Sequence, residues 1–227
     1  MPRRPGRVLA GMTLAVCVAG ALPLPAGTVE VQVMLPAPQK VDTTGMKRLL
    51  VGGFRAGDHP EVDLAREINT LLRSLIRKNT GLEVLDAEAP PLPEQPIEEA
   101  IRNTDYWKRL GVRFNADLIL AGTVDFSAVD HSGFVQEDVV SELTGQRMRR
   151  SRWVERELFK LGLGIYIIRA SSGELLYDDH FNEEMMFDGK LNDDLTVLHQ
   201  VFDRLSEGIL GILTTRPRVE MRHLFTE

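Results

Sequence analysis

The chain has 227 residues, of which 27 are Lys or Arg, 33 are Asp or Glu, and 43% are hydrophobic. This hydrophobic content in a chain of this length supports a buried core and excludes a disordered tail. The formal net charge of −6 argues against nucleic acid as the main partner, because cationic side chains must neutralise its phosphates.

The first 27 residues have the composition of a secretory signal peptide. Three arginines and no acid stand in residues 1–7, an apolar run follows over residues 8–24, and Ala-Gly-Ala at 19–21 offers a small-residue exit. The run is shorter than the roughly 20 residues that span a bilayer, so a retained membrane helix is the weaker interpretation. We predict export to the periplasm or to the periplasmic face of the outer membrane. Without residues 1–27, 24 basic and 33 acidic side chains remain, a net charge of −9.

The single cysteine, Cys17, lies inside this segment. The sequence "LAVC" resembles the lipobox of bacterial lipoproteins, although Val16 stands where that pattern has Gly, Ala or Ser. Lipidation of Cys17 would tether the domain to a membrane. The interpretation that we favour is a signal-peptide cysteine that is removed on export, which would leave a mature chain without thiol chemistry.

The first half of the mature chain alternates between strand and helix patterns. Residues 28–35 alternate valines with polar residues, the period of a half-buried strand, and 36–46 form a linker. Over 62–78 an apolar residue recurs every three or four positions, which predicts an amphipathic helix. The other elements predicted here are strands over 47–54 and 82–86, a proline-rich connector over 87–96, a helix over 97–114 and a strand over 117–124.

The second half is predicted to be mainly antiparallel. Strands over 134–143 and 153–169 flank a turn-rich basic tip, and a further strand covers 175–187. An amphipathic helix follows over 193–213, and residues 214–227 are left as a basic tail. The predicted fold class is therefore α/β (α+β): a mixed β-sheet with helices packed on it and an antiparallel hairpin in the second half.

Four segments carry a resemblance to a known family. "KRLLVGGF", "LIRKNTGLEVLD", "NADLILAGTVDF" and "IYIIRASSGELLYDD" occur in an order that resembles the curli-secretion lipoprotein (CsgG-like) superfamily and the related LpoB and TolB amino-terminal domains. Asn115 stands where that superfamily has Gly, and Arg169-Ala170 where an acidic or polar residue is usual. The resemblance covers about residues 47–213. It implies a CsgG-like α/β domain there and a role in envelope binding or assembly, and oligomer formation would be consistent with it.

The stretch "NADLILAGTVDF", residues 115–126, raises the question of a phosphate-binding loop. It lacks a Walker lysine, and its Gly122-Thr123 pair falls inside a strand pattern and not at a strand-to-helix turn. We interpret it as a central strand with a small residue where two elements approach closely.

The sequence offers little for catalysis. It has no G-x-S-x-G motif, and its five histidines are scattered without zinc-binding spacing. On a strand, Asp178, His180 and Asn182 would point to one side and could hold a cation, although a solvated face is the more common outcome. We predict no enzyme activity and no cofactor, with a metal-dependent periplasmic enzyme using Asp178 and His180 as the least favoured alternative.

A cationic cluster stands out in this acidic chain. Arg147, Arg149, Arg150 and Arg152 are followed by Trp153. A solvated hairpin end is the ordinary interpretation of such a run. The sharper hypothesis is a contact for anionic lipid headgroups, lipopolysaccharide, a glycan or an acidic envelope protein, because guanidinium groups bind phosphate and carboxylate through two hydrogen bonds.

Two binding roles remain open from the sequence. The first is a non-catalytic binding or assembly factor of the cell envelope, attached to membranes only by lipidation or peripheral contact. The second is an oligomeric outer-membrane secretion channel, as the family resemblance allows. A membrane strand needs about 9 to 11 residues with an apolar lipid-facing side. The predicted hairpin carries charges at consecutive positions, so we predict that it does not span a bilayer.

Overall fold

The computed structural model describes residues 27–140, 145–189 and 193–226, so Cys17 lies outside the described residues. The chain divides into two compact units, Pro36–Arg218 and the two terminal segments up to Leu35 and from Val219. The strands are β1 Gly27–Ala37, β2 Arg48–Ala56, β3 Glu83–Val84, β4 Leu118–Asp130, β5 Gly133–Val140, β6 Arg147–Val154, β7 Arg156–Arg169, β8 Glu174–Asp188 and β9 Arg216–Thr226. The helices are α1 Leu64–Asn79, α2 Ile97–Ala100, α3 Thr104–Phe114 and α4 Asp194–Leu213.

The larger unit is built on a five-stranded mixed sheet in the order β3-β2-β4-β7-β8. β3 and β4 run parallel to β2, whereas β7 and β8 run antiparallel to their neighbours. Helices α1 and α4 cover one face and α3 covers the other, and each face has its own hydrophobic cluster. The predicted mixed sheet with packed helices is confirmed.

Strand β4 passes through the centre of this sheet, as its apolar sequence predicts. Leu118 and Leu120 join the cluster beneath α1 and α4, and Ile119 and Ala121 join the cluster beneath α3. Successive side chains of a strand point to opposite faces, so a strand covered on both faces must be apolar at every position. The interpretation of "NADLILAGTVDF" as a core strand is therefore confirmed.

The helix predicted over 97–114 is two helices in the structure. The short α2 ends at Ala100, and α3 begins after Asn103, whose side chain accepts a hydrogen bond from the Tyr106 N–H at 3.1 Å. Asparagine is a strong N-cap because it satisfies an N–H that the helix leaves free. Helix α3 ends at Asn115, which adopts a left-handed conformation with φ of 51°.

The predicted tail also differs in the structure. Residues Arg216–Thr226 form β9, which pairs with β1 in a two-stranded sheet. In this smaller unit the His223 Nδ1 atom lies 3.7 Å from the Glu30 Oε1 atom. This strand was not predicted, because the segment contains Pro217 and many charged residues. Residues Val219 to His223 nevertheless alternate with charged neighbours, which is a pattern that indicates a strand. None of the helices in the described part of the chain combines the length and apolar character that crossing a membrane requires.

A carboxylate joins the beginnings of β2 and β4, and it yields a testable prediction. The Asp117 Oδ2 atom accepts hydrogen bonds from the N–H groups of Lys47 at 2.8 Å and Arg48 at 2.9 Å. These two N–H donors hold the pKa of Asp117 below its usual value. We expect Asp117→Asn to lower the free energy of unfolding at pH 7 by about 1 kcal/mol, after allowance for partial solvent exposure.

The pH dependence of this effect follows from the direction of the shift. A lowered pKa in the folded state stabilises the protein above the unfolded pKa of about 3.9, and this contribution disappears as pH falls through the folded pKa. Urea unfolding of the native and Asp117→Asn proteins should therefore differ at pH 7 and converge near pH 2. An equal difference at both pH values would show that the charge of Asp117 does not contribute.

Candidate binding surface

Strands β5 and β6 form a two-stranded antiparallel ribbon that is separate from the main sheet. We call it the β5–β6 ribbon. The hydrogen bonds that join its base to the sheet include Ser132 N–H to the Asp130 carboxylate at 2.8 Å, Arg156 N–H to the Ser132 hydroxyl at 3.1 Å, and His131 N–H to the Arg156 carbonyl at 2.8 Å. The ribbon is therefore attached where β4 ends and β7 begins.

The four arginines do not lie in a turn, as the sequence predicted, but in β6. The register runs from Gly133 opposite Val154 to Val140 opposite Arg147, so every arginine of the cluster has a partner residue on β5. The predicted single strand over 153–169 is likewise wrong, because β6 ends at Val154 and β7 begins at Arg156. Of the predicted strand over 134–143, the part up to Val140 is confirmed, and residues 141–143 lie outside the described residues.

Opposite charges across the ribbon explain why an arginine-rich segment takes up a strand. Arg149 lies opposite Asp138, with 3.7 Å between the Nε and Oδ1 atoms. Arg152 Nε lies 3.9 Å from Glu137 Oε1. Cross-strand pairs of opposite charge stabilise an antiparallel pair, although exposed pairs as long as these contribute little. With four guanidinium groups against two carboxylates, the two strands keep an excess of positive charge.

Cationic side chains occupy both faces of the ribbon. Because strand residues alternate, Arg147 and Arg149 share the face of Trp153, and Arg150 and Arg152 share the opposite face. The four arginines are exposed, and none is enclosed by the hydrophobic clusters of the main sheet. Either face can therefore present guanidinium groups to an anionic surface.

Two aromatic side chains lie at the base of the ribbon. Phe134 and Trp153 face each other across the strands, with ring centroids 5.0 Å apart in an edge-to-face arrangement. They are 74% and 52% exposed, respectively. Burial of such rings is favourable, so an exposed aromatic pair next to guanidinium groups is typical of a contact surface.

The residues considered as an alternative metal site lie on the edge strand of the main sheet. Asp178, His180 and Asn182 alternate along β8 and are all exposed on one face, as the strand pattern predicted. His180 makes an edge-to-face contact with Tyr166 at 6.2 Å between ring centroids. Across the residues that the structure describes, no three His, Cys, Asp or Glu side chains come together as a metal site.

A polar cluster that the sequence analysis missed lies on the other face of β8. Lys40 Nζ donates to the Tyr177 hydroxyl at 2.9 Å, and that hydroxyl donates to Asp179 Oδ2 at 2.7 Å. The bond to Tyr177 raises the pKa of Lys40 and lowers the pKa of Asp179. Lys40 lies in residues 36–46, which were predicted only as a linker, so its contact with β8 was not expected. The i, i+2 spacing of Tyr177 and Asp179, which places both side chains on one face of a strand, was the one feature of the sequence that indicated this cluster.

Comparison with known proteins gives a likeness of fold only. No protein-family model and no curated protein matches this chain. The PelC dodecamer from Paraburkholderia phytofirmans is 13% identical with a TM-score of 0.38, over 84% of this chain and 99% of that chain. Lipoprotein GNA1162 from Neisseria meningitidis is 10% identical with a TM-score of 0.37, over 71% of this chain and 99% of that chain.

The third similar structure is the LpoB C-terminal domain from Salmonella enterica. It is 10% identical with a TM-score of 0.35, over 63% of this chain and 87% of that chain. The likeness to curli-secretion proteins stays a prediction. At these identities and TM-scores, none of the three structures supports an inference about what this chain binds.

Proposed function

We propose that the chain is an exported, non-catalytic binding or assembly factor of the bacterial cell envelope with a CsgG-like domain. In this proposal the β5–β6 ribbon binds the phosphate-bearing headgroups of an anionic membrane surface. The observation that carries it is the placement of Arg147, Arg149, Arg150, Arg152 and Trp153 on one exposed strand of an otherwise acidic protein. Guanidinium groups bind phosphate through paired hydrogen bonds, and an aromatic ring suits the boundary between headgroups and lipid tails.

The distribution of charge favours contact with the membrane surface over insertion. Arg149 and Arg150 lie on opposite faces of β6, so neither face of that strand is free of cations. A cation at the bilayer midplane costs about 2 to 4 kcal/mol, whereas near an anionic headgroup layer each basic side chain contributes about 1 kcal/mol to binding. An isolated two-stranded ribbon is also only marginally stable in water, so a bound surface would stabilise it.

The proposal predicts a loss of membrane binding when β6 loses charge. We expect Arg149→Ser with Arg150→Ser to weaken binding to phosphatidylglycerol vesicles by roughly 2 kcal/mol, about thirtyfold. Sedimentation of the protein with vesicles measures this binding, and retention in the isolated envelope fraction measures it in cells. Both use a Cys17→Ser background, so that acylation cannot hold the protein on the membrane.

A matched control removes the same charge elsewhere. Arg77→Ser with Arg204→Ser deletes two exposed arginines that pair with Asp86 and Glu183, and this variant should bind like the parent protein. Equal loss in both variants would indicate a general effect of charge and would contradict the proposal, as would unchanged binding of the β6 variant. Ring oligomers that conduct ions through liposomes would instead support the secretion channel.

A further inference from the structure

The outer edge of β2 has no strand partner over most of its length. On one side β4 pairs with β2 as far as Ala56, whereas on the other side β3 pairs only with Arg48 and Leu49. Among the described residues, no other strand joins β2 on the side of β3. An unpaired edge presents a row of backbone N–H and C=O groups that can accept a further strand.

The connector that follows β3 lies near this edge but does not pair with it. Four of its residues are prolines, which have no N–H to donate, and in the described part of the chain no backbone hydrogen bond joins residues 87–95 to β2. Side chains hold its carbonyls instead: Arg73 donates to Ala87 O at 2.5 Å, Tyr106 to Pro91 O at 2.7 Å, and Arg55 to Pro93 O at 3.0 Å.

A cavity of about 790 Å³ separates the connector from helix α1. Its lining includes Gly53, Phe54 and Arg55 of β2, Ala65, Asn69 and Arg73 of α1, and Leu92 of the connector. Helix α1 packs on one face of the sheet and Leu92 on the other, so a cavity that both of them line lies at the edge of β2. It thus occupies the place of the next strand.

One contact shows a side chain acting in place of that missing strand. The Arg73 guanidinium donates to the Val51 carbonyl of β2 at 3.4 Å as well as to Ala87 of the connector. A neighbouring strand would normally supply such a donor to a carbonyl at the edge of a sheet. Arg73 therefore acts as a spacer that keeps β2 and the connector apart beyond the end of β3.

The charged groups of the lining do not select a charged ligand. Three arginines stand against Asp63 and Glu88. Arg55 and Arg73 are engaged with backbone carbonyls, and the Asp63 carboxylate caps α1 by accepting the Arg66 N–H at 3.1 Å. Backbone pairing at the edge of β2 is therefore the stronger determinant of what binds here.

We propose that this cavity binds an extended peptide segment of a partner protein, which adds to the outer edge of β2 as a further strand. The side chains of such a strand point alternately to α1 and to the connector, where Ala65 and Leu92 offer apolar contacts. The segment therefore carries small apolar residues at alternate positions. This site is apart from the β5–β6 ribbon and does not depend on membrane binding.

The test uses peptides selected for binding to the mature protein. Selection from a phage-displayed library of linear octapeptides should enrich sequences with alternating apolar residues. An added strand pairs through every second residue, so N-methylation of those amides should weaken binding at least tenfold, whereas N-methylation of the intervening amides should have little effect. A library that yields no binding peptide would overturn the proposal, as would equal effects of N-methylation at all positions.

Variants of the cavity wall test where the selected peptides bind. Thr70 of α1 and Glu88 of the connector line the cavity and are exposed, so Thr70→Trp and Glu88→Trp should fill it without loss of thermal stability and weaken peptide binding at least tenfold. Lys78→Trp adds the same ring at an exposed position of α1 outside the lining and should bind like the parent. If one cavity variant fails to fold, the other decides. Unchanged affinity in a folded cavity variant would overturn the site.

Discussion

Replacing Trp107 with alanine is expected to lower the free energy of unfolding by about 3 to 5 kcal/mol. Trp107 is 1% exposed and is the largest side chain of the cluster between α3 and the sheet. Its indole N–H donates to the Ala100 carbonyl at 2.9 Å, and this hydrogen bond links α3 to α2. Because domains are stable by only about 5 to 15 kcal/mol, this loss would be a large part of the total. Urea unfolding followed by circular dichroism measures it.

The other tryptophan of the chain supplies the control. Trp153 is 52% exposed on the β5–β6 ribbon, and Trp153→Ala should change the free energy of unfolding by no more than about 0.5 kcal/mol. Trp107→Phe should fall between the two, since it keeps most of the buried ring but loses the hydrogen bond to Ala100. Similar losses for Trp107→Ala and Trp153→Ala would contradict the division into a buried and an exposed tryptophan.

Substitution of Gly122 by alanine is expected to destabilise the fold by about 3 kcal/mol. Gly122 is paired with Phe54 across β2 and β4, and a Cβ atom there would overlap the Phe54 ring and the Gly164 carbonyl oxygen. The Phe54 ring is 7% exposed, so the space that a side chain at 122 would need is already filled. Overpacking a core typically costs about 1 to 3 kcal/mol, and a backbone carbonyl cannot rotate away as a side chain can.

A second glycine tests whether steric overlap is the cause. Gly211 lies in helix α4, and nothing stands within 4 Å of the position of its missing Cβ. Gly211→Ala should therefore raise the free energy of unfolding by up to about 1 kcal/mol, because alanine favours the helix. Thermal unfolding of both variants gives the comparison. A Gly122→Ala protein as stable as the parent would show that β4 and β7 can move apart at this position.

Local sequence patterns were sufficient to predict most of the helices and strands of the larger unit. Strand β4 is buried on both faces, and helices α1 and α4 are each buried on one. Buried faces require apolar residues at a fixed spacing, so the apolar run of β4 and the helical periodicity of α1 and α4 are visible in the sequence. Patterns failed where a single residue changes the outcome. Asn103 divides one predicted helix into α2 and α3 by capping the second, and the charges of β9 concealed its pairing with β1.

The candidate ribbon was identified by its residues but not by its geometry. The cluster from Arg147 to Trp153 was visible as a concentration of charge, yet its composition resembled a turn. Only the register with β5 places Arg149 opposite Asp138 and Phe134 opposite Trp153. Strand pairing is a non-local property, so the facing charges that allow arginines into a strand cannot be read from the arginines themselves.

The sequence by itself determined the mixed sheet and its packed helices, because hydrophobic periodicity is a local record of which faces are buried. The tertiary structure alone decided the cavity at Asn69 and Arg73, since it arises where α1, the end of β2 and a distant connector meet. The tertiary structure also explains why position 122 is a glycine. The Phe54 ring, which comes from a strand 68 residues earlier, occupies the space that a Cβ atom at position 122 would need. Contacts between residues far apart in sequence leave no periodic signal, and these features consist of such contacts.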